Sequence, residues 1–167
     1  MRVLLAAVVV IAGAGAGAAQ ADDHADCPMA SAHAHRADVD GRHDAVTGVP
    51  HEGAVHHFLL SPDGGTIRLE VIDPAQVEAR DRIREHLQVV ARSFAAGDFA
   101  LPMRIHDQVP PGVAVMKKRK AAIRYSFAPT EQGGEVRIST SDPAALSAVH
   151  AFLRFQVRDH GTGDPTE

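Results

Sequence analysis

Gly64-Gly65-Thr66-Ile67-Arg68-Leu69 returns as Gly133-Gly134-Glu135-Val136-Arg137-Ile138, 69 positions on, from Gly64 to Gly133. At the same offset Asp73-Pro74-Ala75 returns as Asp142-Pro143-Ala144, Val77 falls on Leu146 and Ile83 on Phe152. Hairpin and cap chemistry can converge by chance, but a constant offset across both marks a duplicated unit.

Each copy reads as strand, strand, helix. Phe58 and Leu60, then Ile67, Leu69 and Val71, suit two strands joined around Ser61-Pro62-Asp63-Gly64-Gly65, where Asp-Gly and Gly-Gly supply the positive φ of a tight turn. Asp73 is the expected N-cap of a helix with Pro74 in its first turn. Val77, Ile83, Leu87, Val90 and Phe94 recur at three- and four-residue spacing for most of that helix, and Gly97 ends it. The second pair of strands is predicted at 122–127 and 135–140. Two amphipathic helices on one face of a four-stranded antiparallel sheet bury both apolar stripes, which predicts an α+β two-layer sandwich. Between the copies, residues 97–120 hold Pro102-Met103, His106, Pro110-Pro111-Gly112, Met116 and a basic run from Lys117 to Lys120. A connection of this length inside a compact domain is usually functional or mobile.

The chain before the repeat has a different character. Residues 1–21 run from Met1-Arg2 through an apolar stretch to Ala19-Gln20-Ala21, the pattern of a cleaved export signal. Residues 22–54 show neither helical nor strand periodicity and read as a flexible arm rich in His and Asp. The expected organisation is therefore signal 1–21, arm 22–54, one domain 55–164 and a tail 165–167, in the periplasm or secreted. After cleavage no stretch is long or apolar enough to span a bilayer. Loss of Arg2 leaves 16 of the 17 basic residues against 21 acidic ones, a balance that argues against nucleic acid as a partner. The single Cys27 closes no internal disulfide, so the domain must stand on its core.

Seven of the eleven histidines lie between His24 and His57. Cleavage after Ala21 would leave Asp22-Asp23-His24 as the terminus. Its α-amine, two deprotonated amides and an imidazole make the square-planar nitrogen set that Cu(II) and Ni(II) prefer. His33, His35, His43 and His51, among the arm's aspartates, are further candidate ligands, because neutral imidazole binds borderline divalent ions; against this stands a solvated spacer with incidental histidines. His56 and His57 are adjacent on a strand and must point to opposite faces, so only one, with His57 as the candidate, joins any given site. Met103, His106 and Met116 offer one imidazole and two thioethers, a soft set for Cu(I), although methionine is more often core packing. His86 and His150 are lone histidines on apolar helix faces, positions usually filled by hydrogen-bonded core residues. His160, past the last helix, could approach the sheet end or stay in solvent. The chain has no Gly-x-Ser-x-Gly elbow, no phosphate-cradling loop and no His-Glu-x-x-His helix, so no catalytic residues are assigned.

His56-His57-Phe58, Asp63-Gly64-Gly65, Ile83-Arg84-Glu85-His86-Leu87, Gly97-Asp98-Phe99 with Pro102-Met103, Pro110-Pro111-Gly112-Val113 and Phe152-Leu153-Arg154-Phe155-Gln156 together resemble a family of small, often exported bacterial proteins of unestablished function. The resemblance spans about residues 51–164 and implies a cell-envelope location. Some members carry the label aspartate carbamoyltransferase; this chain is too short for that two-domain enzyme and lacks its Ser-Thr-Arg-Thr-Arg phosphate-binding segment.

The expectation is thus a periplasmic transition-metal protein that binds copper, with nickel or zinc as alternatives. Its arm would capture ions and its domain would hold or pass them to an envelope protein partner. The competing expectations are a non-enzymatic envelope module for an organic ligand or protein, and an unrecognised small enzyme.

Overall fold

A computed structural model describes residues 28–167 of the chain. Its sheet joins β1 (Ala54–Ser61), β2 (Gly64–Val71), β3 (Ile123–Pro129) and β4 (Gly133–Thr140) in the order β1-β2-β4-β3, all antiparallel. Helices α2 (Val77–Ala96) and α5 (Pro143–His160) bury their apolar stripes against it, giving the α+β architecture expected from the repeat.

The duplication is visible in the pairing itself. Phe58 faces Ile67 in the first hairpin, and the equivalent Phe127 faces Val136 in the second. Where the hairpins meet, Ile67 pairs with Val136, its own counterpart in the other copy. The pseudo-twofold axis therefore passes through that pair. The helices are exchanged across it: α2 lies over β3 and β4, and α5 lies over β1 and β2. Ile67, Leu69, Val136 and Ile138 from the central strands meet Ile83, Leu87, Phe94, Val149 and Phe152 from the helices in one core. Burial of each large side chain contributes roughly 1.5–3 kcal/mol.

The copies differ at their helix starts. Asp142 accepts from the amides of Ala144 and Ala145 at 2.9 and 3.0 Å, with Pro143 in the first turn, as predicted. In the first copy Asp73 accepts only from Ala75, at 2.9 Å, and the helix begins later, at Val77 behind Gln76. Asp73 thus forms a turn rather than a cap; nothing in the structure explains the delay. The turn after β1 is also tighter than expected. Ser61 pairs directly with Gly64, so Pro62 and Asp63 alone form the loop. Gly64 takes φ 149°, and a Cβ there would strike the backbone carbonyl of Ile138 on β4. Gly97 ends α2 as expected, with φ 80° and the amide of Asp98 returning to Ser93 at 2.8 Å.

Two segments depart from the sequence reading. Residues 97–120 fold into α3 (Ala100–His106) and α4 (Val113–Lys118), whose Ile105, Val113 and Met116 are buried. The larger correction lies in the presumed flexible arm, because residues Pro28–Thr47 form a 20-residue helix, α1. Its packing face is Val39, His43 and Thr47, each four residues from the next and at most 7 % exposed. Polar contacts hold it: Arg42 donates to the carbonyl of Ile105, and Arg82 donates to that of Gly48 at 3.0 Å. A helix that docks through one valine and polar side chains has almost no apolar periodicity, which is why the sequence pattern hides it. Among the described residues no helix is long and apolar enough to cross a membrane.

Candidate functional site

The exchange of helices leaves a space between α5, α2 and the β1 edge of the sheet, roofed by α1 and α3. A cavity of ≈ 60 Å³ occupies it. Its apolar wall includes Phe58, Leu69, Val90 and Phe152, and five histidines from five different elements line the rest. His43 comes from α1, His56 from β1, His86 from α2, His106 from α3 and His160 from the last residue of α5.

Local structure aims each ring. His56 lies between Ala54 and Phe58 on the core-facing side of β1, whereas His57 points the other way and meets Asp164 at 2.8 Å. His43 and His86 occupy the inward faces of their helices. His160 is held at the helix end, where Gly161 turns the chain with φ 62°.

The rings stand close together. His43 Nε2 and His56 Nε2 are 3.0 Å apart, one donating to the other. Their centroids are 4.4 Å apart, and His160 lies 5.8 Å from His43 and 5.3 Å from His56. His86 meets His43 edge-on at 5.9 Å, and His106 meets His160 at 5.0 Å. His43 Nδ1 and Gln156 Nε2, on buried residues that line the cavity, have no hydrogen-bond partner among the described residues. A buried polar nitrogen left so costs about 1–3 kcal/mol.

Burial sets the charge state. It pushes His43 down to about 2 and His56 to about 3, with neighbouring histidines adding to the effect. His160 is pushed to about 3 by burial and by His106 and His43, and His86 to about 4 by burial. At neutral pH these four rings are uncharged and each has one lone-pair nitrogen, that of the acceptor in the His43–His56 pair being engaged by the other ring.

His106 is oriented from behind. Asp159 accepts from its Nδ1 and, at 2.9 Å, from Nε2 of His35 on α1. Burial raises the Asp159 carboxyl, but the bonds from His35 and His106 outweigh it and hold it below the usual carboxylate range. With Nδ1 donating, a neutral His106 presents its lone pair at Nε2, 2.9 Å from Gln156 Oε1. Half a turn of that amide sets its otherwise unpartnered NH2 on the lone pair.

The expected site residues divide accordingly. His106 lines the cavity, and His35 reaches it only through Asp159. His33 is exposed on α1, and His57 faces away with Asp164. Met116 is fully buried in the core, Met103 is half-buried on α3, and neither lines the cavity, so Met103, His106 and Met116 do not converge around it. Asp22, Asp23 and His24 lie outside the described residues. His150 serves the fold, its Nε2 shared between the carbonyls of Ser61 and Gly64 at 2.9 and 3.0 Å. The residues that do converge with His106 are His43, His56, His86 and His160; the sequence offers His43 among the arm histidines and His56 beside His57 as candidate ligands, but joins none of the four with His106 in one site. A signal was present: at the 69-residue offset His56 and His86 fall on Tyr125 and Phe155, so both occupy positions that the other copy fills with aromatic rings.

As they stand, no three His, Cys, Asp or Glu side chains among the described residues are arranged to hold a metal ion. The His43–His56 hydrogen bond and the near-parallel stacking of His56 on His160, at 12°, turn the lone pairs away from a common point. No protein-family model, no curated protein and no solved structure matches the chain.

Proposed function

We propose that the protein binds a borderline divalent metal ion, Cu(II) first and Ni(II) or Zn(II) as alternatives, in the histidine-lined cavity, and that it does so in the cell envelope. The observation that carries this is the spacing of His43, His56 and His160, with centroids 4.4 to 5.8 Å apart. Three imidazoles bound to one ion at about 2 Å place their ring centroids about 5 Å apart. Binding then requires rotation of rings already in place rather than assembly of a site. For the ion to take both Nε2 atoms, the ring that donates in the His43–His56 bond moves its proton to its own Nδ1, so that each ring binds as neutral imidazole and none loses a proton. The all-nitrogen donor set suits Cu(II), Ni(II) and Zn(II), and the distance of both methionines from the cavity removes the reason to favour Cu(I) there. An organic ligand is the weaker reading, because such pockets measure roughly 300 Å³ or more against ≈ 60 Å³ here. If the export signal is cut after Ala21, Asp22-Asp23-His24 adds a second, separate Cu(II) site.

Titration of the mature chain with Cu(II), followed by visible absorption and by metal content after desalting, tests both sites. His24→Ala is expected to remove the square-planar band. His43→Ala with His56→Ala should weaken the remaining site by at least about 100-fold. Unchanged stoichiometry and affinity in that double variant, with its circular dichroism intact, overturns the cavity as the site.

A further inference from the structure

His56 and His160 face two voids. Besides the inner cavity they line an open surface cleft of ≈ 400 Å³, together with Arg36, Asp40, His51 and Thr162. Stacked at 5.3 Å, the two rings form a wall one imidazole thick between the cleft and the cavity. Within the cleft His51 stands 3.7 Å from Asp40 and 3.3 Å from Asp44, and its side chain is 43 % exposed. A half-exposed imidazole between two carboxylates attracts divalent cations and releases them readily, since no closed coordination shell surrounds them.

The cavity also meets the surface at a second place, where His86 and Leu101 line both it and an outer void. That void carries Arg82 and Arg104 against the single carboxylate of Glu85, a balance that opposes a cation. In the cleft Arg36 is offset by Asp40, with Asp44 beside His51, whereas the outer void stays net positive, so charge favours the cleft.

On the reading that the cavity holds a metal ion, we infer that the ion loads through the α1 cleft. Asp40 and His51 take it from water, and His56 and His160 turn apart to pass it inward. These last two rings are then both gate and ligands, while Asp40 and His51 belong to the route alone. Arg36 shares the cleft and slows loading by repulsion.

A group on the route alone changes uptake and release by the same factor and leaves the equilibrium untouched. Stopped-flow uptake of Co(II) by the full chain, read from its visible absorption, and its release to excess chelator measure both rates. Asp40→Asn with His51→Ala should slow each about tenfold, with Kd changed by less than about two-fold; Arg36→Ala should speed uptake, and Glu85→Gln should leave it unchanged. The route is overturned if the double variant loads at the normal rate, if Glu85→Gln slows loading as much, or if Kd weakens in step with the on-rate while release is unchanged. Failure of the unaltered chain to take up Co(II), Cu(II), Ni(II) or Zn(II) in the cavity overturns the metal reading, and the route with it. Uptake that ignores the cleft overturns the route alone.

Discussion

The two copies of the repeat share a register and a core but build different grooves between helix and edge strand. In the groove of α5 and β1 stand His56, Phe58 and His160; at the matching positions between α2 and β3 stand Tyr125, Phe127 and Ala91. His86 likewise matches Phe155, which is buried. The second copy shows that the scaffold tolerates ordinary packing residues at these places. The histidines of the first copy are therefore not demanded by the fold. They raise its cost, because neutral rings must stay buried. Only the groove that carries them is roofed by α1, which adds His43.

Acid should expose this difference most strongly. In the unfolded chain these histidines take protons below about pH 6.5, whereas His43, His56, His86 and His160 resist protonation in the fold. Their contribution is intact above pH 6.5 and is lost as pH falls from there toward the folded values. Each ring lowers stability by at most about 1.4 kcal/mol per pH unit. Urea unfolding in chelator at pH 6.5, 5.5 and 4.5 should thus show a steep loss. A midpoint independent of pH over that range would mean that the rings are not buried as described.

Writing the second copy's residues into the first, His56→Tyr with His86→Phe, should flatten that pH slope by up to two protons and abolish metal binding in the cavity. At neutral pH its stability should fall by about 1–3 kcal/mol, because the new rings are larger than imidazole and His43 Nε2 loses its partner. Collapse of the fold in this variant would make the histidines structural and break the comparison.

The helix caps offer the smallest test. Asp142→Ala should cost about 1 kcal/mol, since it frees two amides at the start of α5. Asp73→Ala, at the equivalent place, should cost less than about 0.5 kcal/mol, because Asp73 holds a turn outside its helix. Equal losses in thermal unfolding would place both aspartates in the same role.

The strand–strand–helix repeat was legible because its apolar spacing is strict and its turn residues recur. The α1 helix was not, since its buried positions include His43 and Thr47, which pattern arguments treat as solvent-facing. The site was hidden for a related reason. Its histidines lie on five elements, with no two at the spacing that helices or strands use to gather ligands, and only tertiary packing brings them together. His56 was closest to being readable, as the strand residue between inward-facing Ala54 and Phe58. Methionine spacing in 97–120 suggested a soft site, but Met116 was claimed by the core.

The exchange of helices across the Ile67–Val136 axis also bears on ancestry. Each helix lies mainly over the other half's hairpin, so a lone ancestral unit would have left much of its sheet face wet. Two identical units related by that axis would have completed each other, and gene fusion would then have freed one groove to diverge. The chain carries a homodimer's geometry in one polypeptide, and two fragments severed between α3 and α4 should find each other again.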